Sequence, residues 1–225
     1  MKTTFAVLFA VSALAAQSQA AIVITEVMSS TAHPGGTNNG DWFELTNTGI
    51  AAVDISGWHW DDNTFTNGTT PEAVFGGITS IAAGKSIIFT EETVGAEAGW
   101  TTSWGITGVT VVNLGSSVFQ GLGAGGDSVR VYDASNTLVS GVTFGASSTG
   151  FTFEWDVNGN YLGISSLSNS YDFKAATNGA TSPGPGVDVG SPGVAVVPEP
   201  TSALVLGLSL VTLVGVGRKR KSAGR

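Results

Sequence analysis

The chain has 225 residues, 32 of them glycine, no cysteine and a formal net charge of −8. The lack of cysteine excludes a disulfide framework, a zinc–thiolate site and a thiol nucleophile, so a hydrophobic core has to stabilise the fold. The length predicts one main domain, and the glycine content, about twice the usual share, is typical of a fold with many turns.

Residues 1–20 have the organisation of a secretory signal peptide. Met1-Lys2 gives a positive start, residues 5–16 are apolar, and Ser18-Gln19-Ala20 is the small-x-small pattern that signal peptidase recognises. We therefore expect cleavage between Ala20 and Ala21 and export of the residues that follow.

The middle of the chain has the pattern of short strands separated by turns. Runs rich in β-branched and aromatic residues, bounded by Gly, Asn, Asp and Ser, predict strands at residues 22–28, 41–46, 53–60, 86–90, 107–114, 127–132, 137–144 and 150–155. Convincing helical periodicity is missing here, although residues 91–99 could form one turn. The pattern predicts an all-β domain, either a sandwich or a barrel.

The clearest unit is an antiparallel hairpin that turns at residues 134–136. Val129 and Val131 alternate with polar residues, so they are expected together on one face. On the return strand we expect three apolar side chains to share a face, those of Leu138, Val142 and Phe144.

Two carboxylates in the first strands are candidates for chemistry. Glu44 is expected to share a strand face with Trp42. Glu26 is expected to share a face with three apolar residues, Ile22, Ile24 and Met28. If the strands are neighbours, the two carboxylates lie close, and hydrolases use such pairs because one pKa rises or a cation is recruited. A structural interpretation is favoured, because buried carboxylates are normally hydrogen-bonded.

Imidazole chemistry could come only from His33 and His59. His33 lies in a loop of Gly, Pro and Asn. His59 alternates with Asp61, so the two side chains would project together and could bind a metal or act as a base. A lone histidine is more often packed or exposed without such a role.

Two glycine-containing loops have the outline of catalytic or cofactor motifs. Residues 121–126 satisfy the dinucleotide-binding pattern, but they lead into a strand rather than a helix, so no phosphate cradle is expected. Residues 145–150 resemble a nucleophile elbow with the second glycine out of register, and a flexible loop is the favoured interpretation. We predict no cofactor from either loop.

Two loops rich in Asp and Asn offer the oxygen ligands that calcium prefers. Their candidate ligands are Asp61, Asp62 and Asn63 in the first, and Asp156, Asn158 and Asn160 in the second. The second loop lacks the downstream Glu and the spacing of an EF-hand, and Asn-Gly is also a strong turn signal. Plain turns are favoured, with weak Ca²⁺ binding as the alternative.

The end of the chain has three parts in order. A Pro-rich linker at residues 195–200 contains Pro198-Glu199-Pro200, residues 201–217 are apolar and uncharged, and the basic tail at residues 218–225 follows. The basic residues nearest the apolar segment are Arg218, Lys219, Arg220 and Lys221. As a helix the apolar segment would span about 25 Å, slightly less than the roughly 30 Å hydrocarbon core, so membrane insertion is predicted with the basic tail in the cytoplasm.

These three parts together resemble the PEP-CTERM sorting signals of Gram-negative bacteria. The resemblance implies recognition by an exosortase, a membrane cysteine transpeptidase that would cut near residues 198–200. After signal peptidase has acted, the protein would be held in the inner membrane by its C-terminal helix and then released or transferred to the cell surface or beyond. It would be the substrate of that enzyme.

The domain itself resembles a lamin-tail domain over residues 21–194. The similar segments are residues 22–28, 41–47, 53–58, 81–89, 126–133 and a late Ser191-Pro192-Gly193. The resemblance implies an immunoglobulin-like β-sandwich without a catalytic signature, which accompanies secreted and surface proteins in bacteria. The chain departs from the family at Thr25, where Asn is usual, and has long inserts at residues 61–70 and 95–108.

Without its targeting ends, the exported part is strongly acidic. Residues 21–200 contain all 17 acids but only three cations, Lys85, Arg130 and Lys174, which gives a net charge of about −14. Nucleic acid is excluded as a partner, because phosphate contacts need a basic surface. An exopolysaccharide or another cell-surface polymer is the candidate partner.

Three hypotheses for function follow, in order of preference. The first is a non-catalytic surface or extracellular-matrix protein with a β-sandwich for interaction. The second is a calcium- or carbohydrate-binding adhesin module, in which exposed aromatic residues stack on sugars, namely Trp100, Trp104 and Tyr161. The third is a secreted hydrolase that uses Glu26 with Glu44, or His59 with Asp61; it ranks last because no nucleophile, base and orienting group occur together.

Overall fold

The computed structural model describes residues 22–32, 40–62, 73–119, 121–166, 174–177 and 187–195. The predicted signal peptide, its cleavage site, the sorting motif, the apolar segment and the basic tail lie outside these residues, as do His33 and Asn63. Within the described residues, no helix is long and apolar enough to cross a membrane.

The described residues form one helix and a succession of short strands. In chain order these are β1 (Ile22–Met28), β2 (Trp42–Asn47), β3 (Val53–Asp54), β4 (His59–Asp61), β5 (Ala73–Val74), β6 (Ser80–Ile81), β7 (Ser86–Thr90), α1 (Glu97–Trp104), β8 (Thr110–Asn113), β9 (Asp127–Tyr132), β10 (Leu138–Phe144), β11 (Phe153–Trp155), β12 (Tyr161–Ile164), β13 (Lys174–Thr177) and β14 (Val187–Gly190).

Two larger sheets confirm the predicted all-β sandwich. The first has six strands in the order β12-β11-β1-β2-β7-β8, and the second has four in the order β10-β9-β4-β5. Neighbouring strands are antiparallel except for β7 and β8, which are parallel. Two small sheets, β3 with β6 and β13 with β14, lie beside them.

The core between the sheets is built from alternate residues of both. Phe43 and Phe89 of the first sheet stack at 5.5 Å between ring centroids. Trp60 of the second sheet meets Phe43 at 5.1 Å and Phe119 at 4.6 Å. These rings, with buried Ile, Leu and Val from both sheets, supply the hydrophobic core that a chain without cysteine requires.

The predicted strand at residues 53–60 is wrong as a single element. The chain forms β3, turns at Gly57 with φ 74°, and enters the second sheet as β4. A positive φ is accessible to glycine at no steric cost, so Gly57 lets the chain leave one sheet and join another.

Helix α1 covers the outer face of the first sheet. Trp100 and Trp104 lie one turn apart on its buried side and meet Trp42 of β2 edge-on, at 5.5 and 5.7 Å between centroids. The helix ends at Gly105 in the left-handed conformation. The sequence prediction missed this helix, because Gly99, Thr101 and Thr102 are weak helix formers and the only periodic signal is the Trp pair at i and i+4.

A β-bulge at Thr25 reverses the expected faces of β1. The pairing of β1 with β2 shifts register between Ile24 and Glu26. Ile24 and Val27 therefore belong to the core between the sheets, whereas Met28 packs with the tryptophans on the outer face. The prediction that Glu26 shares a face with Ile22 and Ile24 is wrong, because the extra residue breaks the alternation.

A second bulge changes the hairpin of β9 and β10. Val129 and Val131 are buried together, as predicted. The register shifts between Leu138 and Ser140, so Leu138 lies opposite Tyr132 and 49% of its surface is exposed. The prediction that Leu138 shares a face with Val142 and Phe144 is therefore wrong. As in β1, an extra residue in the strand breaks the alternation of faces.

Substitution of Trp104 tests the outer layer. Trp104→Ala should lower the free energy of unfolding by about 3–5 kcal/mol, because it empties a site that is 1% exposed. The control Leu138→Ala removes an exposed side chain and should change it by less than about 0.5 kcal/mol. Equal losses in urea unfolding would contradict this packing.

Candidate functional site

Three glutamates lie side by side across the first sheet. Glu26 of β1 is the direct register partner of Glu44 in β2 and of Glu154 in β11. Each side chain is at most 2% exposed. They lie on the outer face, because Glu26 alternates with Met28 and Glu44 with Trp42. We call this set the glutamate row.

A short segment near the C-terminal end closes the glutamate row. Residues 191–193, which we call the strap, follow β14. Ser191 donates its backbone N–H to Glu26 Oε1 at 2.8 Å and its hydroxyl to Glu154 Oε1 at 2.9 Å. Gly193 donates its N–H to Glu44 Oε2. One segment therefore binds a carboxylate from each of three strands.

Threonine hydroxyls supply further donors. Thr25 Oγ1 donates to Glu44 Oε1 at 2.6 Å, so the bulge residue takes part in the site. Thr152 Oγ1 donates to Glu26 Oε1 at 2.7 Å. Glu26 Oε2 is buried without a hydrogen-bond partner.

The surroundings of the row favour protonated carboxyl groups. Burial raises the pKa of Glu26 well above its ordinary value, and the nearby charges of Glu44 and Glu154 raise it further. Burial also raises the pKa of Glu44, against the opposing effect of hydrogen bonds from Thr25, Gly193 and Thr46. In the folded state a raised pKa favours the protonated form of these two carboxyl groups over the ionised form.

The glutamate row supports the structural interpretation of Glu26 and Glu44. The two carboxylates are brought together as predicted, but they are 1% exposed and covered by the strap. A hydrolase pair needs access to both substrate and water. In this closed arrangement the carboxylates bind the protein's own donors.

His59 and Asp61 lie on the outward face of the second sheet. His59 is 2% exposed and stacks on Tyr132, its register partner, with ring centroids 5.4 Å apart. Burial lowers its pKa, so the imidazole is neutral near pH 7. This arrangement is that of a packed histidine.

The second Asx-rich loop is a turn that uses its own carboxylate. Asp156 Oδ1 accepts the backbone N–H groups of Asn158 and Asn160 at 2.8 and 2.9 Å. Its Oδ2 accepts Asn160 Nδ2 at 2.9 Å. Within the described residues, no three His, Asp or Glu side chains are grouped so that they could hold a metal ion.

The proposed sugar-stacking aromatics do not form one surface. Trp100 and Trp104 are each 1% exposed, which contradicts their predicted exposure, because α1 turns both towards Trp42. Tyr161 is 54% exposed, as expected. A single exposed ring gives no stacking platform by itself.

The glycine and serine loops connect strands. Residues 121–126 lead directly into β9, as predicted. Ser147 donates both its N–H and its hydroxyl to the Ala124 carbonyl, which ties the loop at residues 145–150 to the glycine loop. Ser147 thus has a structural partner.

Sequence reasoning missed Glu154, Thr152 and the roles of the strap. The sequence does contain a signal for Glu154. This charged residue lies between two large apolar residues, Phe153 and Trp155, in a predicted strand. Glu44, between Phe43 and Leu45, has the same setting. A carboxylate flanked by large apolar residues in a strand indicates burial with hydrogen-bond partners.

Comparison with known proteins identifies one family. Residues 15–146 match the sequence model of the Lamin Tail Domain. No curated protein matches the chain. The match ends before β11, yet β11 pairs with β1 and supplies Glu154, so the first sheet extends beyond the matched residues.

Because the pKa values of Glu26 and Glu44 are raised, we predict that their contribution to the free energy of unfolding falls as the pH rises. A raised pKa means that the folded state binds more protons than the unfolded chain, so the free energy of unfolding decreases by about 1.4 kcal/mol per pH unit for each such proton. The decrease begins above the ordinary carboxyl pKa and continues up to the raised one. Asp41, whose pKa burial raises to about 6, contributes with the same sign.

Urea unfolding between pH 6.5 and 8 should therefore show a stability that falls as the pH rises. Below pH 6.5, His59 acts with the opposite sign because its pKa is lowered by burial. Glu26→Gln should flatten this slope and increase stability at pH 8. Asp54→Asn is the control, because the pKa of Asp54 is lowered by Ser56 and it titrates below this range. A wild-type stability that is constant or rises from pH 6.5 to 8, or a Glu26→Gln slope as steep as that of the wild type, would contradict the assignment.

Gly190 tests how tightly the end of β14 fits the row. A Cβ atom at Gly190 would meet Glu26 Oε1 and the side chain of Thr152. Gly190→Ala should therefore cost about 1–3 kcal/mol, as overpacking does. Gly145→Ala is the matched control, since a Cβ there meets nothing within 4 Å. If thermal unfolding shows equal effects, the row is not closely packed.

Proposed function

Because the chain belongs to the lamin tail domain family, whose immunoglobulin-like fold is non-catalytic, we propose that it acts as an exported, non-catalytic surface or extracellular-matrix protein. Its β-sandwich is the interaction domain. The main observation in favour of a non-catalytic role is that the strap covers the glutamate row. The strongest candidate catalytic group in the domain binds the strap instead of a substrate.

Export and sorting are supported by the two ends of the sequence. Ser18-Gln19-Ala20 suits signal peptidase, and Pro198-Glu199-Pro200 followed by apolar and basic segments suits an exosortase. Val194 is 44% exposed, so the described part of the chain reaches the surface directly before the sorting linker. An exit at the surface leaves the tail accessible to a membrane enzyme.

The partner outside the cell follows from the charge of the exported part. With a net charge of about −14, residues 21–200 repel anionic polymers and favour neutral or cationic ones. An exopolysaccharide or another cell-surface polymer of that kind is the partner we propose. The β-sandwich would present its exposed edges and loops to it.

Intact-mass measurement on fractionated cells tests the sorting. The wild-type protein should begin at Ala21, end near Pro198–Pro200, and be found at the cell surface or in the medium. Glu199→Ala should retain Arg225 and remain in the inner membrane, because the motif that the transpeptidase reads is lost.

The control is Asp54→Ala, which removes an exposed acid of the β-sandwich. It should be processed and located like the wild type. A wild-type protein that still ends at Arg225 in the inner membrane would contradict sorting and leave a simple membrane anchor.

A further inference from the structure

The strap and the glutamate row form a contact whose strength depends on charge. Ser191 and Gly193 of the strap donate hydrogen bonds to carboxylates on β1, β2 and β11. The strap is also sterically confined. Gly193 has φ 83°, and a Cβ there would meet Val109.

Among the described residues, the groups whose contacts with the row are known are acidic, hydroxyl-bearing, aromatic or apolar. Glu26 faces Glu44 and Glu154. Burial raises the pKa of Tyr161 in β12, and the nearby charge of Glu154 raises it further. At the same level, β7 and β8 present Ile88 and Val111.

Strands β13 and β14, which precede the strap in the chain, contain one lysine and one aspartate. Asp188 of β14 accepts hydrogen bonds from Thr31 and Ala32. Lys174 of β13 is the register partner of Gly190. Residues 21–200 contain three cations for 17 acids, so positive charge is scarce in this part of the chain.

Glu26 Oε2 is the oxygen of Glu26 that receives no hydrogen bond. The strap and Thr152 both donate to Oε1, and Oε2 is buried with no partner in a group of carboxylates. An ionised oxygen in that position would bear an unsolvated charge next to like charges, whereas a protonated one can donate to a neighbouring carboxylate.

We propose that the strap is a proton-controlled fastening: the glutamate row holds residues 191–193 when it carries a proton and releases them when it is fully ionised. Lifting the strap lets water reach the carboxylates, which then ionise at ordinary pH values. Closing therefore takes up a proton, and the closed-to-open ratio falls about tenfold per pH unit for each proton involved.

A consequence for the tail rests on the proposed function. Pro198 is five residues beyond Gly193, a reach of at most about 18 Å when the strap is fastened. Release of the strap would lengthen the chain available to the membrane enzyme. The fastening itself does not depend on sorting.

Amide hydrogen exchange on the full chain in detergent micelles tests the fastening. After correction for intrinsic rates, the protection of the Ser191 and Gly193 amides should fall at least tenfold between pH 6 and pH 8. The amides of Val129 and Val131, in the second sheet, should keep theirs. Exchange requires neither export nor cleavage, so an error in the sorting proposal would leave this result unchanged.

Three variants complete the test. Glu26→Gln should abolish the pH dependence at the strap; if it does not fold, Glu154→Gln is used in its place. Glu97→Gln lies outside the row and should behave like the wild type. Lys174→Gln should retain the pH dependence.

Equal wild-type protection at pH 6 and pH 8 would overturn the fastening. So would a fall in Glu26→Gln, or its substitute, as large as that in the wild type. Loss of the pH dependence in Lys174→Gln would assign the titration to the lysine and overturn it as well.

Discussion

Burial of three glutamates at adjacent register positions is the constraint on which the rest of this domain depends. Taking one ionised carboxylate out of water costs several kcal/mol, and a whole domain is stable by only about 5–15 kcal/mol. Three unpaired charges would therefore exceed what the fold can balance. The structure meets the cost with hydroxyl and N–H donors from the strap and three threonines, and with raised pKa values that favour protonation.

The bulge at Thr25 makes this arrangement compatible with a hydrophobic core. Without the extra residue, Glu26 would stay on the face of Ile22 and Ile24, which pack between the sheets. The register shift places Ile24 in the core and Glu26 on the outer face, beside Glu44 and Glu154. Thr25 then donates to Glu44, so the residue that changes the register also satisfies part of the charge it brings there.

The sequence contains the main lines of the fold but not the local exceptions. Strands such as β2, β7 and β9 follow from alternation and β-branched residues, and the closeness of Glu26 and Glu44 follows once their strands are neighbours. Bulges at Thr25 and Val139 have no sequence signal of their own, and each reverses a face that alternation assigns. Helix α1 was hidden because only Trp100 and Trp104 mark its buried side. Glu154 and the strap join the site through contacts across more than 100 residues, between Glu26 and Thr152 and between Glu44 and Gly193, which local patterns cannot reveal.

The strap couples the integrity of the sandwich to the end of the domain. Ser191 and Gly193 satisfy carboxylates on three strands of the first sheet, so losing the strap would leave several buried polar groups unpaired at once. The same segment directly precedes the surface-exposed Val194 and the Pro-rich linker. The strap therefore joins the Pro-rich segment of the sequence to three strands of the first sheet, β1, β2 and β11. The same three residues cover the buried carboxyl groups whose ionisation would cost the fold most.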